Sequence, residues 1–527
     1  MKKDNFLNKG IVILEIIITC AGIITKVIEF VYRVSIANIL GYEGNGIYSV
    51  ALGIYDVAFI LTSYSLLKVV SSMIADRIRN EKFKSSYKTL RCAFVFALIV
   101  GSTVSILLFF GAKSLENLYA RQGLAYPLKI LAPTILVVSF LGVFRGFYEA
   151  FCEINLTELS QIVEQIIIAF IGIFVPFILM KNYSNIPNIP MYSAAGSALG
   201  VLMGALVTLI IFIVFFLRNK TNLICECVLD KHTVESKLFL YKTLISTLVP
   251  LMISYVIYQL LYTVDDLMFG RIMLCKLPEE TITELLGIFD TQYIQIINLP
   301  IYIASYMVLA YLPYFVFSFI SVCISEVQKN ISLMLKSSML IVIPSAFSLA
   351  VLSKPIISVL FPKLSEYSSL ASSLLLFGSS AIIFYSISNI TILILQSIER
   401  IKIHVRNSSI ALALHIVVIC LLMKYTNLSI YALLIGNIIF PLVISILNFI
   451  FIKKRISYIF EYKKIFIYPT IASIAMSVVL AITYNLIFSK IISNWLALLL
   501  TMIVGISVYL LIIIKLGCFA YKSHKVK

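Results

Sequence analysis

Charge is scarce in this chain: Asp, Glu, Lys and Arg make up 13% of its 527 residues, about half the roughly 25% of a soluble domain. A soluble fold this poor in polar groups could not cover its own core. Four histidines and one tryptophan are also few, and no Ser/His/Asp constellation stands on a loop where it could serve a hydrolase or transferase. A GxxxxGK[ST] phosphate loop is absent, which excludes ATP hydrolysis by that device. The nine cysteines are scattered, several of them (Cys20, Cys92, Cys323, Cys420) inside apolar blocks, and this excludes a disulfide framework. Cys225 and Cys227, with His232 nearby, have the only metal-like spacing and are too few to close a zinc site. No resident cofactor is therefore expected. Long polar stretches are missing too: the largest loops, 218–242 and 68–90, are too short to fold as domains.

What fills the chain instead is hydrocarbon. Hydrophobic residues are 61% of it and the mean hydropathy is +1.03. They sit in blocks of about 20 residues, the length that crosses a hydrocarbon core of about 30 Å as a helix. Fourteen such spans are expected, from 11–36 and 46–68 near the start to 466–488 and 492–514 near the end. The first follows Lys2, Lys3 and Lys9 and runs past Lys26, Glu29 and Arg33 without a small-residue cleavage site, so it is expected to be retained. The balance of 42 Lys and Arg against 25 Asp and Glu, net +17, would suggest nucleic acid in a soluble protein. Here placement decides: thirty of the cations lie in segments on the side of the N-terminus and ten in the opposite loops. That bias puts both termini on the cytoplasmic side of the cell membrane. The basic face then meets anionic lipid, and no nucleic-acid partner is expected.

An ionisable residue at the bilayer centre costs about 2.5–3.5 kcal/mol, so each one calls for a local reason. Lys26, Glu29 and Arg33 are three and four residues apart and share one helical face. They read either as an ion-pair group that holds the helix to its neighbours, or as net positive charge on a cavity where Arg33 grips a diphosphate with two N–H groups. In the seventh span Tyr255, Tyr258, Tyr262 and Asp265 form one stripe. It reads as an interfacial aromatic belt, or as a cavity wall with Asp265 as a proton or cation site. Asp56 in the second span and Glu164 in the fifth are similar candidates. The eighth span carries Asp290, Gln292, Gln295 and Asn298 before Pro300 and Pro313. A helix so polar and so broken is expected beside protein or water rather than lipid. Lys26 and Arg33 opening the first span find an echo in Asp265 and Arg271 of the seventh, which suggests two equivalent halves.

The stretch Arg33-x-x-x-Ala37-x-x-x-Gly41-x-Glu43-Gly44-x-Gly46-x-Tyr48 resembles the opening of the SpoVB/YtgP branch of MurJ-like flippases, in the multidrug/oligosaccharidyl-lipid/polysaccharide exporter superfamily. Arg145-Gly146-Phe147-Tyr148, followed by Ser160-Gln161-x-x-Glu164-Gln165, is similar to that branch's passage from fourth to fifth span. Asn298-Leu299-Pro300, Leu312-Pro313, Ser353-x-Pro355-x-x-x-x-Leu360-Phe361 and Ile394-Leu395-Gln396 match as well. The resemblance covers roughly residues 10–450 and thins over the last two spans. It implies an all-α polytopic membrane protein of 14 transmembrane helices with two six-helix lobes in a V, over 1–217 and 243–452. A cytoplasmic linker, 218–242, would join them, and 453–527 would add two helices and a cytoplasmic tail. The implied activity is that of a flippase, not an enzyme. It would carry an undecaprenyl-diphosphate-linked saccharide, lipid II-like or a polysaccharide repeat unit, across the cytoplasmic membrane by alternating access. Arg33 falls at the family's first-span arginine, Asp265 at its seventh-span aspartate and Arg271 at the arginine just after it.

The chain also departs from the pattern. Ser65-Leu66-Leu67 before Lys68 replaces a Gly-Ile-Pro-like turn, Glu149-Ala150 replaces Gln-Gly, and Gln295 stands where MurJ itself carries a cavity arginine. Lys68 or Arg271 would supply that missing charge. The expected site is thus Lys26, Arg33, Lys68 and Arg271 on the diphosphate, with Glu29, Asp56, Glu164, Asp265 and Gln295 in the cavity or its coupling. The membrane potential or a sodium or proton gradient would drive it. Expected partners are the lipid-linked oligosaccharide, membrane lipids and cell-wall synthesis enzymes. Two rivals stand beside this reading. A cation-coupled multidrug exporter is favoured by the acids and tyrosines and opposed by Lys26 and Arg33. A non-transporting scaffold for cell-wall synthesis would tolerate neutral replacement of every buried charge.

Overall fold

A computed structural model describes residues 2–151, 153–183, 188–230, 232–456, 461–488 and 493–517. Backbone groups in hydrocarbon must be satisfied within their own segment, so the apolar runs become helices; among the described residues there is no strand. In chain order the helices are α1 Lys2–Phe59, α2 Ser65–Arg79, α3 Phe83–Tyr119, α4 Ala125–Ala150, α5 Ile154–Asn182, α6 Ile189–Leu229, α7 Lys237–Met273, α8 Glu279–Ile288 and α9 Gln295–Leu309. They continue as α10 Leu312–Ile320, α11 Ile324–Val351, α12 Ser353–Leu360, α13 Ser368–Gly378, α14 Ala381–Ser397, α15 Ile401–Tyr425, α16 Ile430–Ile456, α17 Tyr468–Ile482 and α18 Asn494–Lys515. Among the described residues, 11 helices are long and apolar enough to cross a membrane, or up to 13 if each of two bent pairs is one span.

The first of these candidates, Thr19–Arg79, has 61 residues. Drawn as one rod it would be about 90 Å long, about three hydrocarbon thicknesses. Gly41 prevents that, with φ 72° and ψ −170°, a region of backbone space that is essentially glycine's alone. The hydroxyls of Tyr32 and Tyr48 lie 2.7 Å apart, whereas the same stretch of straight helix would separate those residues by about 24 Å. The chain therefore doubles back at Gly41, and α1 supplies two spans. Counted so, the helices are compatible with the expected fourteen. Where α8 meets the second limb of this hairpin, a Cβ on Gly46 would fall 2.0 Å from the Thr283 carbonyl oxygen. A Cβ on Gly287 would fall 2.8 Å from the Gly46 nitrogen. Two glycines thus let the helices touch backbone to backbone, the close approach that small residues give membrane helices.

The chain packs into two compact units. Unit 1 comprises Met1–Thr291 with Ser408–Leu412 and Cys420–Ile430, so α7 and α8 pack with the first six spans. Its centre is α4, whose Leu128, Leu131, Ile135 and Leu141 are fully buried. Gly142 and Gly146 seat α4 on the backbone of Ser63 and Leu67, and the Ser63 hydroxyl donates to the Val138 carbonyl at 2.7 Å. Ser63 belongs to a π-helical turn, Ile60–Tyr64, which begins one turn beyond Asp56; such turns often mark functional stretches of a helix. Past α6, the segment around Asp230 and Glu235 is strapped to α2 and α3. The Asp230 carboxylate accepts from the Lys84 backbone N–H at 2.8 Å, and Arg77 donates two N–H groups to Glu235 at 3.1 and 2.6 Å.

Unit 2 comprises Gln292–Asn407, Ala413–Ile419 and Tyr431–Lys527. In it α11 packs on α9, α14 and α17, and α17 packs on α18. Its interior is joined by neutral hydrogen bonds. The Asn407 side-chain amide donates to Asn448 Oδ1 at 3.0 Å, and the Asn448 amide donates to the Thr391 hydroxyl at 3.2 Å. Tyr293 donates to Asn437 Oδ1 at 3.0 Å, and the Asn437 amide donates to the Tyr385 hydroxyl at 3.0 Å.

Candidate functional site

The α1 hairpin gathers four of the residues singled out in the sequence. On its first limb Lys26 Nζ lies 2.7 Å from Glu29 Oε2, and the two side chains keep 26% and 22% of their surface. Arg33 follows one turn on and lays its guanidinium over the Tyr48 ring, 5.6 Å from the centroid. The fold-back that joins Tyr32 to Tyr48 also brings Asp56 of the second limb into the electrostatic reach of Arg33, Glu29 and Lys26. Asp56 accepts a hydrogen bond from Gln259 Nε2 of α7 at 3.4 Å. Two cations and two anions therefore balance, where the sequence alone counts one anion. They are not equally engaged. Lys26 is held by Glu29 and Asp56 by Gln259, while the buried Arg33 Nε has no hydrogen-bond partner. Among the described residues Arg33 makes no ion pair within 4.0 Å.

The other candidates lie apart from this group. Lys68 of α2 pairs with Glu149 of α4 at 3.3 Å, with 43% and 31% of their side chains exposed. Arg271 is exposed at the end of α7 and donates to the carbonyls of Leu118 and Asn117 at 2.7 and 2.6 Å, capping the C-terminus of α3. Glu164 of α5 accepts from Arg145 of α4 at 2.5 Å, and Arg145 also donates to Ser160, so this pair rivets two helices together. Asp265 is buried on α7, within the electrostatic reach of Asp266 and Asp290. Gln295 stands half-buried on the first turn of α9, in unit 2. Cys225 and Cys227 have side chains outside the described set.

One residue of this region escapes the sequence reading altogether. Arg121, in the turn between Tyr119 and Ala125, is only 1% exposed, and none of its three guanidinium nitrogens has a hydrogen-bond partner. Its charge neighbours are Asp266 of α7, Asp290 just past α8 and Glu279. A cation in a loop reads as solvated, and nothing in the local sequence marks this one as buried.

The polysaccharide biosynthesis protein family matches residues 15–319. The chain is 27% identical over 242 residues to the stage V sporulation protein B of Bacillus subtilis, covering 45% of this chain and 43% of that one. To the lipid II flippase MurJ of the same organism it is 22% identical over 487 residues, covering 89% and 87%. Among solved structures, an inward-facing multidrug resistance transporter of the MATE family superposes with a TM-score of 0.66 at 16% identity, over 84% of this chain and 98% of that one. A lipid II flippase MurJ in an inward closed conformation gives 0.65 at 16% identity, over 95% and 99%. The fold is that of these transporters. Relatives whose names state an activity are transporters and flippases, not enzymes.

Proposed function

We propose, from the premise that the chain belongs to the polysaccharide biosynthesis protein family, that it flips a diphosphate-linked saccharide lipid across the cytoplasmic membrane by alternating access. The observation that carries this reading is Arg33. It is the cation of the hairpin group with no ion pair of its own, stacked on Tyr48 and thereby fixed in direction. A guanidinium so held presents paired N–H donors to a diphosphate, which a point charge cannot do. Lys26 adds a second positive charge one turn away. Four ionisable groups turned to hydrocarbon would cost on the order of 10 kcal/mol at about 2.5–3.5 each; a water-filled face removes most of that cost. Lys68 and Arg271 have other partners in this arrangement and would join the diphosphate only by leaving them.

The hairpin group is neutral, so a bound diphosphate leaves negative charge uncompensated. Entry of a cation with the substrate offsets it, and this favours coupling to a proton or sodium gradient, with Asp56 and Asp265 as the candidate carboxylates and Glu164 only if it leaves Arg145. The undecaprenyl chain would stay in lipid while the saccharide passes, and the 22% identity to a lipid II flippase over nearly its whole length supports a peptidoglycan-like cargo. The test is transport of undecaprenyl-diphosphate-linked saccharide in proteoliposomes by correctly inserted Arg33→Ala and Lys26→Ala proteins. Loss of about thirtyfold or more is expected for Arg33→Ala, the scale of one buried charge-assisted contact, with a smaller loss for Lys26→Ala. Transport by Arg33→Ala at full rate would remove the grip. Rescue of a strain depleted of its peptidoglycan flippase then separates lipid II from other saccharides.

A second reading has one observation in its favour. Tyr64 and Tyr255 meet edge to face at 4.9 Å, Tyr255 four residues before the Gln259 that holds Asp56, and such an aromatic pair with an acid on the same two helices suits a lipophilic cation. An exporter of such cations would keep its transport when Arg33 is replaced and lose it when Asp56 is.

A further inference from the structure

We propose that Asp266 and Asp290, facing Arg121, bind a single proton, and that this proton and an anion held by Arg33 favour each other's binding. The first half stands on the burial of these groups, their unpartnered atoms and the charges within reach of one another; the second rests on the diphosphate reading. Arg121 is 1% exposed and Asp266 5%, and the Arg121 guanidinium makes neither a hydrogen bond nor an ion pair within 4.0 Å among the described residues. One Asp290 oxygen, Oδ2, is likewise buried with no hydrogen-bond partner. Burying polar groups without partners costs about 1–3 kcal/mol each, and more for charged ones. Such a site is stable only in a state that relieves it.

The count of charges says which state. One guanidinium faces two carboxylates, so with both ionised the pair carries one negative charge more than Arg121 offsets, out of water; Asp265 alongside adds to the excess. A proton on one carboxyl removes the pair's excess over Arg121 and turns that group into a hydrogen-bond donor. A metal ion would need several ligands and would sit against a fixed guanidinium. No three Asp, Glu, His or Cys side chains among the described residues are placed to hold one. The groups within reach of the pair or of Arg121 come from several elements: Arg33 and Ser49 from α1, Tyr119 from α3, Arg121 from its turn, Asp265 from α7 and Glu279 from α8. The second limb of the hairpin approaches through Gly53, where a Cβ would lie 3.7 Å from Asp266 Oδ2.

Arg33 supplies the link. It lies within the electrostatic reach of Asp290 and is also the cation proposed to hold the diphosphate. An anion on Arg33 cancels the positive charge that favours ionised Asp290, so the carboxylate takes up a proton more readily. Linkage then requires the reverse, that the protonated pair binds the anion more tightly. The proton comes from bulk water and returns to it; no bond of the cargo is broken.

Infrared difference spectroscopy tests this on the full chain in vesicles of phosphatidylethanolamine and phosphatidylglycerol, by titrating the carboxylic-acid band without cargo. The unaltered protein is expected to show a titrating component of the band that the Asp266→Asn, Asp290→Asn double variant lacks, read as the difference between the two titrations. Arg121→Gln is expected to move the midpoint up by about one pH unit or more, the effect of losing a neighbouring opposite charge. Arg121→Lys keeps the charge and holds the midpoint near its original place. Undecaprenyl diphosphate added to the vesicles raises the midpoint in the unaltered chain and leaves it in place in Arg33→Ala. Identical titrations in the unaltered protein and the double variant, or a difference component that follows sodium at fixed pH, overturn the proton site. A midpoint indifferent to undecaprenyl diphosphate overturns the linkage. The titration is read without transport, so its failure leaves the diphosphate grip standing, and failure of the grip in proteoliposomes leaves the titration standing.

Discussion

The interiors of the two units are built from different chemistry. Unit 2 buries neutral amides and hydroxyls, some joined in runs such as that from Asn407 through Asn448 to Thr391 and some, such as the Gln292 amide, without a hydrogen-bond partner. Unit 1 buries charge, and in two places holds it short of pairing, at Arg33 and at Arg121. A satisfied neutral network rigidifies a core and specifies its packing; it has little to gain from an arriving ion or from the membrane potential. Charges kept apart in low dielectric do respond, because each is worth about 2.3 kcal/mol per 100 mV if moved across the membrane. Even within unit 1 the contrast holds: Arg145 and Glu164 are joined directly and rivet two helices, whereas Arg33 and Arg121 wait for a partner. On the proposed reading the responsive chemistry is concentrated in unit 1, and the neutral chains of unit 2 serve as framework.

The comparison breaks most visibly at Arg33. Replacement by alanine is expected to raise the transport barrier by about 2–5 kcal/mol, as loss of one partner of a buried charge contact does, while the thermal midpoint in detergent changes little. Gly41→Ala comes next. Its φ of 72° with ψ −170° would cost a residue with a Cβ about 1–3 kcal/mol, and nothing crowds the position, so the penalty is conformational. Because Gly41 sets where Tyr48 and Asp56 fall against Arg33, stability and transport should drop together. Asn448→Ala in unit 2 sharpens the contrast from the other side. It removes two hydrogen bonds, each averaging about 0.6 kcal/mol in a membrane protein, and should lower stability by about 1 kcal/mol while transport per folded molecule stays unchanged. A large transport loss there would place active chemistry in unit 2 and end the distinction.

Much of this was legible in the residues before any coordinates. Apolar blocks of spanning length announce helices because hydrocarbon permits no other open backbone. The Lys26–Glu29 pair follows from a three-residue step on one helix. The approach of Asp56 to Arg33 did not follow, since it depends on the reversal at Gly41. Glu164 and Arg145 were both visible in their motifs, yet their union crosses from one helix to the next. Lys68 and Arg271 found partners 81 and about 150 positions away in the chain, Glu149 and the end of α3; such separations carry no periodic signal. Arg121 was hidden for a different reason. Counting cations by side of the membrane treats every loop arginine as solvated, and burial of a turn is a property of packing alone.

The smallest expected effect lies outside the membrane and tests whether charge in unit 1 also does ordinary structural duty. The Asp230 carboxyl is held below the usual carboxylate range, first by the Lys84 backbone N–H and then by that of His232. A carboxyl whose native value is depressed stabilises the fold wherever it is ionised, and that contribution is lost as pH falls through the native value. Above the unfolded value of about 3.9 it is fully present, so it disappears only in the acid window below that point. Asp230→Asn cannot ionise, and its thermal midpoint should fall less steeply with acid than that of the unaltered chain, the two curves converging at the lowest pH. Transport at neutral pH should be untouched, since the strap from Asp230 to Lys84 involves none of the hairpin charges. Parallel acid limbs in the two proteins would mean that the strap carries no ionic stabilisation. A transport defect at neutral pH would mean that the strap from Asp230 to Lys84 belongs to the moving machinery, and the line between framework and responsive charge would have to be redrawn inside unit 1.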